Sequence, residues 1–139
     1  MNTHQKKVRD FMQAFGQNTP MSYSPMEFPG TLRASLINEE AKEFAQAVEE
    51  KNYLEVIDAI CDLLYVTYGA AIALGIDIDP FFAEVHRSNM SKLDENGKPI
   101  YREDGKVIKS AQWSPPNLRA VLAAQVGIGF IQADPHAAS

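Results

Sequence analysis

Between Glu55 and Ile76 the chain reads EVIDAICDLLYVTYGAAIALGI, an apolar run of helical length with Asp58 and Asp62 set inside it. Apolar residues recurring at three- and four-residue steps predict amphipathic helices on either side as well. A first helix is expected from Thr3 to Phe15, with Val8, Phe11, Met12 and Phe15 on one face and Gly16 closing it. The segment QNTPMSYSPMEFPG holds three prolines and must be a loop, packed through Tyr23, Met26 and Phe28. A second helix should run from an N-cap at Thr31 to about Lys51, with an apolar stripe of Leu32, Leu36, Ile37, Phe44 and Val48. The long apolar helix spans Tyr53 to Leu74 and ends at Gly75. A fourth begins near Pro80 and continues through FFAEVHRSNMSKL. KPIYREDGKVIK then pairs two short strand-like runs around a DG turn, WSPPNL stops them, and a short helix from Leu118 to Val126 follows. The fold class is all-α: a bundle of four to five helices with a small C-terminal β-hairpin.

The length of 139 residues and 45% hydrophobic content fit one domain, expected over 1–130, with a disordered tail over 131–139. Cys61 stands alone, so it forms no internal disulfide and is expected to pack in the core. The start MNTHQKKVRDFMQAFG carries no signal-like apolar stretch, and no part of the chain is expected to reach the roughly 18 apolar residues of a membrane span. The expected setting is cytoplasmic. From Glu27 to Glu84 there are 12 acids and 3 bases, whereas from His86 to Arg119 there are 7 bases and 4 acids. This polarity excludes a nucleic-acid groove, which needs an unopposed basic face.

The acidic half carries the chemistry. On the second helix Glu39, Glu40 and Glu43 fall within about 100° of one another, and on the third Glu55, Asp58 and Asp62 fall within about 60°. Charge runs on helices are usually solvated faces, and Glu49 and Glu50 are read that way. Asp58 and Asp62 differ, because no lysine or arginine occurs between Lys51 and Arg87 to pair with them. A divalent cation shared by the two stripes turns their repulsion into coordination. All the donors are oxygens, which favours Mg²⁺ or Mn²⁺ over zinc, and a di-iron centre would need Glu-x-x-His pairs that the chain lacks. In the basic half, Lys92 and Asn89 at the end of the fourth helix suit phosphate and polar nucleotide atoms, as an ordinary solvated helix end would also explain. Lys106 and Lys109 lie on the hairpin, and Trp113 is expected to pack beneath the PP pair.

Together these residues resemble the all-α nucleotide pyrophosphohydrolases, whose pattern is E-E-x-x-E on one helix and E-x-x-D on the next. EEAKE supplies Glu39, Glu40 and Glu43, and CDLLYV is similar to the segment that places the family's metal-binding aspartate, here Asp62. Asn89 and Lys92 match the family's N-x-x-K segment, and the stretch from Glu84 to Leu118 looks like the phage and bacterial MazG-like branch. In this register Ala59 occupies the family's second-helix glutamate position, and Asp58 replaces it from the adjacent turn. The alternative register uses Glu55 and Asp58.

The resemblance implies Mg²⁺-dependent hydrolysis of a (deoxy)nucleoside triphosphate to the monophosphate and pyrophosphate, with a purine, guanine foremost, the first choice of base. It assigns Glu40, Glu43, Asp58 and Asp62 to the metal, and Glu39 to the attacking water or the metal shell. Lys92, Asn89, Arg87, Lys106 and Lys109 are assigned to the substrate. A homodimer or tetramer is expected, because the third helix is apolar around most of its circumference. A non-catalytic helical interaction module and a carboxylate-bridged redox metal protein remain as alternatives; the first predicts no metal dependence and the second iron-dependent absorbance.

Overall fold

The long apolar run folds as expected. In this computed structural model, which describes residues 1–126, helix α3 covers Tyr53–Leu74. Asn52 caps its start by accepting from the Glu55 N–H, and Gly75 closes it in the left-handed region at φ 81°. Two helices pack on α3: α1, Thr3–Ala14, and α2, Gly30–Glu49. The remaining elements are α4, Asp79–Met90; the antiparallel pair β1, Ile100–Tyr101, and β2, Val107–Ile108; and α5, Leu118–Val126. The architecture is all-α with a minimal hairpin. The expected tail over 131–139 lies outside the described residues.

The described residues separate into two compact units, one of residues 1–78 and one that begins at Asp79. In the first, Val8 and Met12 of α1 bury against Ile72 and Ala73 of α3, with Phe28 and Tyr68 packed at the margin. Gln5 is fully buried, yet both ends of its amide are used: Nε2 donates to the Ile76 carbonyl and Oε1 accepts from the Ile78 N–H. That satisfied amide ties α1 to the chain leaving α3, where an unpaired one would be costly.

Several expectations are corrected. Helix α2 starts at Gly30 with Pro29 before it, so Thr31 is no cap; proline presets the backbone there without a side-chain hydrogen bond. Its expected stripe is shifted: Arg33 and Ala47 are the buried residues, while Leu32 and Val48 are about half exposed. Phe11, Phe15 and Met26 are also exposed, and of the loop aromatics only Tyr23 is buried. Cys61 is exposed rather than packed in the core. Contrary to the expectation that no stretch is apolar for the length of a membrane span, α3 is long and apolar enough to cross a membrane by length and composition. The core helix of a soluble protein has the same character, and α1 and α2 pack on this one.

In the second unit Arg87 and Glu84 of α4 hold the segment that leads into α5. Arg87 donates from Nε and Nη2 to the two Glu84 oxygens at 3.0 and 2.9 Å, from Nη1 to Ser114 Oγ, and from Nη2 to the Pro115 carbonyl. Glu84 Oε1 also accepts from the Asn117 N–H at 2.9 Å. These hydrogen bonds hold the Glu84 carboxyl at about 2, well below its ordinary value, with Arg87 the largest cause and Asn117 the second. Ser88 adds a hydrogen bond to the Ser114 carbonyl.

Candidate active site

Helices α2 and α3 run side by side in opposite directions, so residue numbers facing across the pair sum to a nearly constant value. Glu40 therefore meets Asp62, and Arg33, seven residues earlier, meets Gly69, seven later. At the first level one oxygen from each of Glu40, Glu43 and Asp62 lies within 4.8 Å of the others. Three carboxylates that close repel unless protonated or shared by a cation. Burial first, then Glu43, Asp62 and Glu39, push the Glu40 carboxyl above its usual range. Glu40 Oε2 is shut off from solvent without a hydrogen-bond partner. No lysine or arginine pairs with the three among the described residues.

This donor set fits a hard divalent cation. All donors are carboxylate oxygens, two of the groups are half-buried, and the orphaned Glu40 oxygen needs a partner that no side chain supplies. The expected metal residues are thus partly gathered: Glu40, Glu43 and Asp62 converge. Asp58 is exposed and outside the cluster, as is Glu55, whose N–H is engaged by the Asn52 cap. Ala59 is buried at the position where the resemblance would put a glutamate. Glu39 is exposed beside Glu43 on the outer face of α2.

The expected substrate residues lie in the second unit. Arg87 donates four hydrogen bonds, to Glu84, Ser114 and Pro115. Lys109 places its ammonium over the Trp113 ring, 3.9 Å from the centroid, in a cation–π contact. Asn89 and Lys106 are exposed and Lys92 is half-buried.

Arg33 was missed altogether. It is only 7% exposed, donates from Nη2 to Gln17 Oε1 at 3.2 Å, and leaves Nε buried without a partner. Burial pulls its pKa below the ordinary guanidinium value. Its seven-residue spacing from Glu40 was the available signal, since that interval returns a helix to the same face.

An all-α bundle whose paired helices present E-E-x-x-E against an aspartate defines the class of all-α nucleotide pyrophosphohydrolase domains. The comparisons agree: the family model for phosphoribosyl-ATP pyrophosphohydrolase matches residues 8–89, and the chain belongs to that family. An uncharacterised protein of Acanthamoeba polyphaga mimivirus is 34% identical over 113 residues, which is 78% of this chain and 43% of the viral protein. The chain thus spans less than half the length of that curated relative. The crystal structure of a candidate NTP pyrophosphohydrolase from Exiguobacterium sp. 255-15 is 25% identical, with a TM-score of 0.50, covering 96% of this chain and 99% of the other.

Proposed function

We propose that the protein hydrolyses a (deoxy)nucleoside triphosphate to the monophosphate and pyrophosphate, with Mg²⁺ as the metal, Mn²⁺ as a substitute and guanine as the preferred base. The observation that carries this reading is the convergence of Glu40, Glu43 and Asp62 around an orphaned, buried carboxylate oxygen. Family membership and the likeness to the Exiguobacterium protein support the reaction class.

Glu40, Glu43 and Asp62 hold the ion in this reading, and Asp58, one turn before Asp62, completes the set. Bound there, the metal neutralises phosphate charge and makes a water more acidic. Glu39, exposed to solvent at the edge of the cluster, takes the proton of the water that attacks the α-phosphorus, and pyrophosphate departs as the P–O bond breaks. Lys92 and Asn89 are the proposed phosphate contacts. Residues 1–130 act as one functional domain in this account, in the cytoplasm and without nucleic acid.

A second copy of the chain is the proposed partner. Leu54, Ile57, Ile60, Leu64 and Tyr65 fall on one side of α3 and are all at least 40% exposed, a continuous apolar stripe of the kind that marks an interface. Purified protein incubated with eight nucleotides and Mg²⁺, with products separated by ion exchange, tests the activity. Monophosphate and pyrophosphate from at least one nucleotide, lost in Asp62→Asn, is the expected result; hydrolysis unaffected by Asp62→Asn contradicts it.

A further inference from the structure

The second unit makes the same backbone turn twice, and the two copies differ in how they hold one side chain. In the first, the Asp94 N–H donates to the Lys98 carbonyl at 2.7 Å and the Gly97 N–H to the Asp94 carbonyl at 3.0 Å. In the second, the Arg102 N–H donates to the Lys106 carbonyl at 2.8 Å and the Gly105 N–H to the Arg102 carbonyl at 2.9 Å. Each turn carries its glycine at positive φ, 72° at Gly97 and 85° at Gly105, where a residue without Cβ meets no steric penalty.

The residue before that glycine is Asn96 in one turn and Asp104 in the other. Asp104 is gripped: its carboxylate accepts from Arg102 Nε and Nη2 and from the Lys106 N–H. The Arg102 hydrogen bonds first, and the Lys106 N–H second, keep that carboxyl below its ordinary range. In the first turn it is Asp94 that grips, its Oδ1 accepting from the N–H groups of Asn96 and Lys98. The Asn96 amide is left exposed and makes no hydrogen bond among the described residues.

Asn96 is also the one asparagine of the chain that precedes a glycine. Asn2, Asn52 and Asn117 use their side-chain oxygens as helix N-caps, and Asn18 donates to Glu27. Asn38 and Asn89 lie inside helices, whose hydrogen-bond ladder holds the N–H that follows each of them. A free amide beside a residue without Cβ is the arrangement in which a side-chain carbonyl carbon and the next main-chain nitrogen meet most readily.

We propose that Asn96 is a site of spontaneous deamidation. The Gly97 nitrogen attacks Asn96 Cγ, an N–C bond closes a cyclic imide, and the Cγ–Nδ2 bond breaks. The Gly97 amide proton leaves with the Nδ2 group as ammonia. Water then adds across one of the two imide C–N bonds, giving aspartate or isoaspartate in place of Asn96, and neither step needs an oxidant or a cofactor. Attack requires the Gly97 N–H to release the Asp94 carbonyl, so opening of the turn sets the pace. Either product puts another carboxylate beside Asp94 and Glu95, and isoaspartate adds a methylene to the main chain within the turn.

The full chain is held at neutral pH, sampled over weeks and digested with trypsin, and the peptide Leu93–Arg102 is followed by chromatography and mass spectrometry. A gain of about 1 Da at Asn96, divided between two products of equal mass, is the expected result, with the other asparagines unchanged and no second form of the Asp104 peptide. Asp94→Ala removes two hydrogen bonds that close the turn and should speed the conversion about 5- to 10-fold. Gly97→Ala should slow it about 10-fold, because a Cβ restricts the backbone that must swing towards the amide; space around Gly97 is open, so packing is undisturbed. An Asn96 that stays intact in the folded chain overturns the proposal, as does equal conversion at Asn52 or Asn117. A rate unchanged in Gly97→Ala overturns the imide route.

Discussion

Arg33 of α2 lies against Gly69 of α3, its Nη1 occupying the space that a Cβ at Gly69 would need. Replacing Gly69 by alanine sets two effects against each other. Alanine gains about 1 kcal/mol in helix propensity, whereas crowding a packed site costs about 1–3 kcal/mol. Gly69→Ala should therefore be net destabilising by about 1 kcal/mol in urea melts. In an Arg33→Ala background, where the obstruction is gone, the same change should be stabilising. Equal effects in both backgrounds would show that the two residues do not couple.

Gly75 is constrained by backbone rather than by a side chain. Its φ of 81° is unfavourable for other residues, and a Cβ would collide with the Ser22 carbonyl. Gly75→Ala should cost about 2–4 kcal/mol through strain and overpacking. Gly105, also at positive φ but with open space around it, should cost less when replaced by alanine. Chemical denaturation of the two variants checks the ranking.

The Glu84 tie predicts an acid dependence in the second unit. Its folded pKa of about 2 lies below the unfolded value, so its contribution is present above the ordinary glutamate range and is lost as pH falls towards 2. Glu84→Gln should flatten the stability profile between about pH 4.5 and 2. Melting temperatures across that range, wild type against variant, measure it.

Glu40 has the opposite sign. Its folded pKa is raised, so the folded state holds that proton more tightly and the stabilising contribution fades as pH rises through the raised value. Without divalent ions the protein should lose stability as pH rises above the ordinary glutamate range, and Mg²⁺ should restore it. Glu40→Gln should abolish both the slope and the Mg²⁺ effect. A Mg²⁺-dependent shift that persists in this variant would place the ion elsewhere.

The α3 stripe predicts assembly. In a lone chain Leu54, Ile57 and Leu64 of this helix face solvent. Light scattering at low micromolar concentration should give at least a dimer, and Ile57→Glu with Leu64→Glu should dissociate it. A fully active monomer would remove the interface from the account.

Helix identities were legible where periodicity and punctuation agreed: Asn52 and Gly75 bracket α3 at the expected residues, and the DG turn marks the hairpin. The acidic cluster was legible because EEAKE and Asp62 match a known pattern and Asp62 has no lysine or arginine near it along the chain. What stayed hidden depends on which face of a helix its neighbours cover. Arg33 is charged and so reads as surface, yet the antiparallel pairing of α2 with α3 buries it. Leu32 is apolar and so reads as part of a buried stripe, yet it stays about half exposed in a single chain. The ties from Arg87 to Ser114 and Pro115 were hidden because those partners are 27 and 28 residues away, whereas its pairing with Glu84 is three residues distant.

The most direct test of the central claim is the fate of the oxygen. In ¹⁸O-water with Mg²⁺, attack at the α-phosphorus should place the label in the nucleoside monophosphate, with unlabelled pyrophosphate released, by mass spectrometry of both products. Label in pyrophosphate or in free phosphate, with none in the monophosphate, would put the attack at another phosphorus and contradict the account.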